Sequence, residues 1–190
     1  MRVVLLAAAA LAATPAASAT MSVGDSYARS CYEAARSESR ANASVQTCTT
    51  ALGMSLNMPF DRVATLVNRG ILHFYRGELP LALADYDAAL AERPEHPEAL
   101  LNKGVVLLRV AGREPEAMTL LNRAIAAGTN KPELAYLARG VAHELAGNVR
   151  AAYADYRQAA AIQPGWRPAE RELQRFQVRR AGGGAGQGAQ

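Results

Sequence analysis

The chain repeats itself, and that repeat constrains the fold more than any other feature of its 190 residues. Shifted by 70 residues, two segments superpose. Arg69-Gly70 falls on Arg139-Gly140, His73 on His143, Gly77 on Gly147, Ala82 on Ala152, Asp85-Tyr86 on Asp155-Tyr156, Ala89 on Ala159 and Pro94 on Pro164. A third copy lies between them. It begins with Gly104, 34 residues after Gly70, and its Ala117, Leu121 and Ala124 keep the spacing of Ala82, Tyr86 and Ala89. Single-residue insertions before Ala117 and between Ala124 and Gly140 account for the remaining offset. A unit this short cannot bury its apolar face alone, so the copies must stack.

Each unit reads as two antiparallel helices. Glycine at the eighth position and alanine at the twentieth and twenty-seventh allow close approach, and Gly70 and Gly140 are expected to pack against small alanines across the hairpin. Tyr86, Leu121 and Tyr156, at the twenty-fourth position, are expected to fill space between neighbouring units. Gly77, Gly112 and Gly147 suit the turn between paired helices, where a residue past a helix end goes left-handed. Pro94 and Pro164 stop the second helix, while Pro97, Pro132 and Pro168 suit the first turn of the next. Half the residues are hydrophobic but only 6% are aromatic, and alanine supplies much of the apolar share. That balance favours helices over a β-sandwich.

Gly70…Ala82…Tyr86…Ala89…Pro94 and Gly140…Ala152…Tyr156…Ala159…Pro164 resemble the tetratricopeptide repeat signature at its usual spacing. Leu66 and Tyr136 stand where that family often has tryptophan, and His73 and His143 where it often has tyrosine. The resemblance covers about residues 61–166, as units near 63–96, 97–131 and 132–166. It implies an all-α fold, a right-handed α-solenoid of antiparallel helix hairpins with a concave groove, and a role in binding a protein or peptide.

The flanks have their own signals. Arg2, the apolar run Val3 to Ala13 and the small-x-small Ala17-Ser18-Ala19 predict a cleavable signal peptide over residues 1–19, hence an exported bacterial protein, periplasmic rather than extracellular. An 11-residue run reaches only ~16 Å as a helix. That is half a bilayer core, and no integral membrane segment is expected after cleavage. Residues 20–60 read as a degenerate first hairpin. Cys31 and Cys48, the only cysteines, lie symmetrically about the polar stretch Ser37–Ser44, which predicts a disulfide in an oxidising compartment. Residues 167–180 read as a capping helix with Leu173 and Phe176 on one face, and the glycine-rich 181–190 as a disordered tail.

Catalytic signals are thin, and neither an enzyme nor a cofactor or metal site is expected. Two of the three histidines, His73 and His143, occupy equivalent repeat positions where packing is the expected role, and His96 sits in a connecting turn between prolines. No His-Glu-x-x-His motif is present, and Asp85 and Asp87 point to different sides of a helix. The formal charge of +4 is spread out except at Arg167, Arg171, Arg175, Arg179 and Arg180. There Glu170 and Glu172 are interleaved and no stacking aromatics accompany the arginines, so no nucleic-acid partner is expected.

The resemblance places positions 2, 5, 9, 12 and 13 of each first helix on the concave face. Those positions are Ala64, Val67, Ile71, Phe74 and Tyr75, then Glu98, Leu101, Val105, Leu108 and Arg109, then Leu134, Leu137, Val141, Glu144 and Leu145. Val67 and Ile71 stand where carboxylate-clamping family members have lysine and asparagine, so the resemblance does not extend to that activity. Val67, Ile71, Phe74, Leu101, Val105 and Leu108, with Asn68 and Asn102 as hydrogen-bonding groups, are the candidate partner-binding groove. An amphipathic partner segment, a second copy of the chain and the chain's own C-terminal helix are three candidate occupants. A small apolar ligand carried in the groove, or an enzyme using it as a pocket, is the alternative reading.

Overall fold

The structure is a computed structural model that describes residues 23–54 and 59–176. The signal peptide expected at 1–19 and the tail expected at 181–190 lie outside the described residues. Within them nine helices follow one another without a strand: α1 (Val23–Arg36), α2 (Asn42–Met54), α3 (Pro59–Tyr75), α4 (Leu79–Glu92), α5 (Pro97–Leu107), α6 (Glu114–Ala126), α7 (Pro132–Leu145), α8 (Val149–Ile162) and α9 (Arg167–Arg175).

The helices pair as α1–α2, α3–α4, α5–α6 and α7–α8, and each pair stacks on the next. The first helices also touch, α1 with α3, α3 with α5 and α5 with α7, which puts them on the inner side of the stack. The architecture is the α-solenoid of helix hairpins that the repeat predicts. Proline sets several helix starts, with Pro97, Pro132 and Pro168 in first turns and Pro94 and Pro164 just past the ends of α4 and α8.

Packing within a hairpin differs from expectation in one respect. Gly70 and Gly140 face the tyrosine of their own unit rather than alanine. A Cβ at Gly70 would stand 2.5 Å from Cε1 of Tyr86, at Gly140 2.5 Å from Cε1 of Tyr156, and at Gly104 2.9 Å from Cγ of Leu121. The large side chain at the twenty-fourth position therefore lies over the glycine across the hairpin, besides meeting the neighbouring unit. Ala82, Ala117 and Ala152 are fully buried, as are Ala89, Ala124 and Ala159.

The N-terminal hairpin obeys the same register with different chemistry. Cys31 and Cys48 are bonded at 17 residues' separation, the separation of Gly104 and Leu121. Ala51 follows Cys48 by three residues, as Ala124 follows Leu121, and is likewise fully buried. A covalent bond thus replaces the small-over-large contact of the other units. It sits in a small core with Ala35 and Leu72.

The α1–α2 turn carries a second substitution. Glu38 has φ 56°, while Gly77 and Gly147, which close the equivalent turns, have φ 79° and 76°. The hydrogen bonds match: the amides of Glu38 and Ser39 donate to the carbonyls of Ala35 and Ala34, as those of Gly77 and Glu78 do to Phe74 and His73. A side chain at a left-handed position is disfavoured, which makes Glu38 a strained residue in a glycine's place.

At the other end, α9 packs on α8 in the place of the first helix of a further unit. Ala169 is buried, and Phe176 stacks near Tyr153 and Tyr156 at 5.6 and 5.8 Å. Arg167, Glu170, Arg171 and Gln174, spaced i, i+3, i+4 and i+7, leave the opposite face polar and exposed among the described residues, as on a capping helix.

Candidate partner-binding face

Ionic contacts link the first helices to their neighbours. Arg69 grips Asp85 with two hydrogen bonds, Nε to Oδ2 at 2.9 Å and Nη2 to Oδ1 at 2.6 Å. Arg139 grips Asp155 the same way, at 2.8 and 2.7 Å. Both aspartates are buried, so these planar pairs lock α3 to α4 and α7 to α8. In the middle unit Lys103 stands in the arginine's place and reaches Asp87 at 2.7 Å and Glu116 at 3.5 Å.

The two equivalent histidines are packing residues. His73 is buried, with Nδ1 2.7 Å from Glu78 and Nε2 3.9 Å from Asp85. Arg76, then His73, hold the Glu78 carboxyl down to about 2 by hydrogen bonding. His143 lies 3.9 Å from Asp155, and its Nδ1 is enclosed with no hydrogen-bond partner among the described residues. His96 caps α5, its Nδ1 accepting from the Ala99 amide.

On the inner face, Ile71 and Phe74 are partly covered against the core of the first repeat, and Val105 and Leu108 against the next. Val67 and Leu101 are different. Their exposures are 4% and 1%, and both belong to the interior rather than to the groove. In α3 and α5 the fifth position turns into its neighbours, so these two side chains are withdrawn from the candidate lining, whereas Leu137 at the fifth position of α7 is only half-buried. Asn68 is half-buried, and Asn102 donates its side-chain amide to the Glu98 carbonyl one turn back at 2.8 Å.

A cluster at one edge of this face joins three units. Phe74 and Tyr75 end α3 and meet edge to face with centroids 5.5 Å apart. Arg109, just past α5, lays its guanidinium 5.1 Å above the Phe74 ring. Tyr75 is half-buried beside Glu38, and burial first, then hydrogen bonding and charge from Glu38, push its pKa up to about 12. In the third unit Glu144 accepts from the Tyr156 hydroxyl at 2.9 Å and from Arg175 at 2.6 Å, which ties α7, α8 and α9 together.

Among the described residues no group of three or more His, Cys, Asp or Glu is placed to hold a metal ion. Among the same residues no helix is long and apolar enough to cross a membrane.

The paired helices, their stacking and the inner face define a helical-repeat scaffold. Residues 67–132 match the tetratricopeptide repeat family. Members of that family are generally non-enzymatic and bind protein partners. The chain is 44% identical over 48 residues to the photosystem I assembly protein Ycf3 of Synechococcus sp. (strain WH7803), a match spanning 25% of this chain and 28% of that one. It is 36% identical over 72 residues to Ycf3 of Prochlorococcus marinus (strain MIT 9303), spanning 35% and 42%. The chain thus spans less than half the length of these relatives. Among solved structures, the type IV pilus biogenesis factor PilW superposes with TM-score 0.69 at 23% identity, covering 80% of this chain and 68% of that one. MamA from Desulfovibrio magneticus RS-1 does so with 0.63 at 21% identity, covering 80% and 83%. At these identities the structural likeness concerns the fold alone.

Proposed function

We propose that the chain is a non-enzymatic scaffold of the cell envelope that holds a segment of a partner protein along the inner face of α3, α5 and α7. The observation that carries this reading is the exposure left on Ile71, Phe74, Val105 and Leu108, apolar side chains on successive first helices that the described residues cover only in part. Apolar surface of that kind in a repeat protein marks a place where another polypeptide lies. The helix α9 packs on α8 at the end of the stack, so an external segment suits this face better than the chain's own C-terminal helix. The partial likeness to an assembly protein supports a holding role, without specifying what is held. Export to the periplasm is part of the proposal and rests on the leader pattern of residues 1–19 and on the Cys31–Cys48 bridge, which suits an oxidising compartment.

A photocrosslinking amino acid tests the reading when placed at Leu108 in one variant and at Arg157, on the exposed side of α8, in another. A discrete polypeptide adduct in envelope extract is expected from position 108 and not from 157. Adducts from 157 alone move the binding surface to the outer face. Lipid adducts at 108 make the chain a carrier of an apolar ligand.

A further inference from the structure

The edge cluster has an uneven charge. Glu38 lies beside Tyr75, Glu98 accepts from the Asn130 amide at 3.1 Å, and Glu144 is held by Tyr156 and Arg175. The acids bordering the inner face are therefore occupied. Arg109 is exposed and forms no ion pair among the described residues. A guanidinium stacked on a ring keeps its N–H donors in its own plane, a fork matched to a carboxylate. The stack is also backed by its neighbours: Phe74 meets Tyr75, and Tyr75 lies beside Glu38, the one described non-glycine residue with positive φ. Strained residues that persist in this way accumulate where a surface is shaped for binding.

We infer that Arg109 receives a carboxylate of the bound segment, so that the partner is an amphipathic peptide with an Asp or Glu within one helical turn of the apolar side chain seated on Phe74 and Leu108. This inference rests on the inner face being the binding surface and specifies its charge. With these acids occupied and Arg109 without an ion pair among the described residues, the charge at this edge favours an acidic segment over a basic one.

Peptide display on the full disulfide-bonded chain tests it, using the wild type, Arg109→Glu and Leu108→Ala. Because Arg109 is exposed, its replacement leaves the helix packing intact, which circular dichroism verifies. Peptides selected by the wild type should carry an acidic residue beside an apolar anchor and lose at least tenfold in affinity for Arg109→Glu by fluorescence anisotropy. Selection on Arg109→Glu should instead return lysine or arginine at that place. Peptides that bind the wild type and Arg109→Glu equally, yet weaken with Leu108→Ala, overturn the carboxylate assignment and leave the groove standing. Peptides indifferent to both variants overturn both.

Discussion

Gly140 lies so close beneath Tyr156 that an added Cβ would stand 2.5 Å from the ring's Cε1. The ring is fully buried and its hydroxyl is committed to Glu144, so it has little room to retreat. Gly140→Leu should cost about 1–3 kcal/mol through overpacking. Gly53, also helical but with nothing within 4 Å of a Cβ, is the control. Gly53→Ala should raise stability by up to ~1 kcal/mol through helix propensity. Thermal melts of the two variants check the opposite signs.

The Cys31–Cys48 bridge stands in for the small-over-large contact of the other hairpins. Loop-closure entropy assigns a bridge of this span ~3 kcal/mol, with less often realised in practice. Replacing both cysteines by alanine should loosen α1 and α2 while α3 to α8 keep their protection. Hydrogen exchange resolved along the chain checks this, and mass spectrometry of the unreduced protein should show two hydrogens fewer than the reduced form.

Asp85 and Asp87 separate two kinds of charge on one helix. Asp85 is buried and held by two hydrogen bonds from Arg69, whereas Asp87 is exposed beside Lys103. Asp85→Ala should cost about 1.5–3 kcal/mol, the loss of hydrogen bonds between charged partners. Asp87→Ala should stay within ~0.5 kcal/mol, as exposed pairs do. Denaturant unfolding of each variant measures the difference.

His96 makes α5 sensitive to acid. Burial holds its pKa below the ordinary 6.5, and only the neutral ring accepts at Nδ1 from the Ala99 amide. The unfolded chain therefore takes up the proton first as pH falls, so stability is fully present above 6.5 and declines below it toward the folded pKa. His96→Asn retains an acceptor that does not titrate. Between pH 7 and 5 its melting temperature should fall less than that of the wild type.

Much of this was legible in the sequence because helical repeats have local rules. The 70-residue shift placed Gly70, Tyr86 and Pro94 in register with Gly140, Tyr156 and Pro164, and symmetry about Ser37–Ser44 paired the cysteines. The same shift carried Arg69 and Asp85 onto Arg139 and Asp155, each pair 16 residues apart like Gly70 and Tyr86. That spacing is the sign in the sequence of both buried ion pairs. Val67 and Leu101 were misplaced because periodicity fixes a residue's face on its helix but not the angle between neighbouring hairpins. The left-handed backbone of Glu38 had no sequence sign at all, since glutamate there is against preference.

Phe74 tests the central claim, that the inner face is where a partner polypeptide is held. It is only partly covered, and its ring is the platform for Arg109. Aromatic anchors of this kind carry a large share of interface energy. The direct measurement is stoichiometric capture of the partner polypeptide from envelope extract by wild type and Phe74→Glu, with helical content and melting followed in parallel. Capture should be lost while the helical signal and a cooperative melt remain. Capture undiminished in a folded Phe74→Glu variant would contradict the claim and move the binding surface off the inner face.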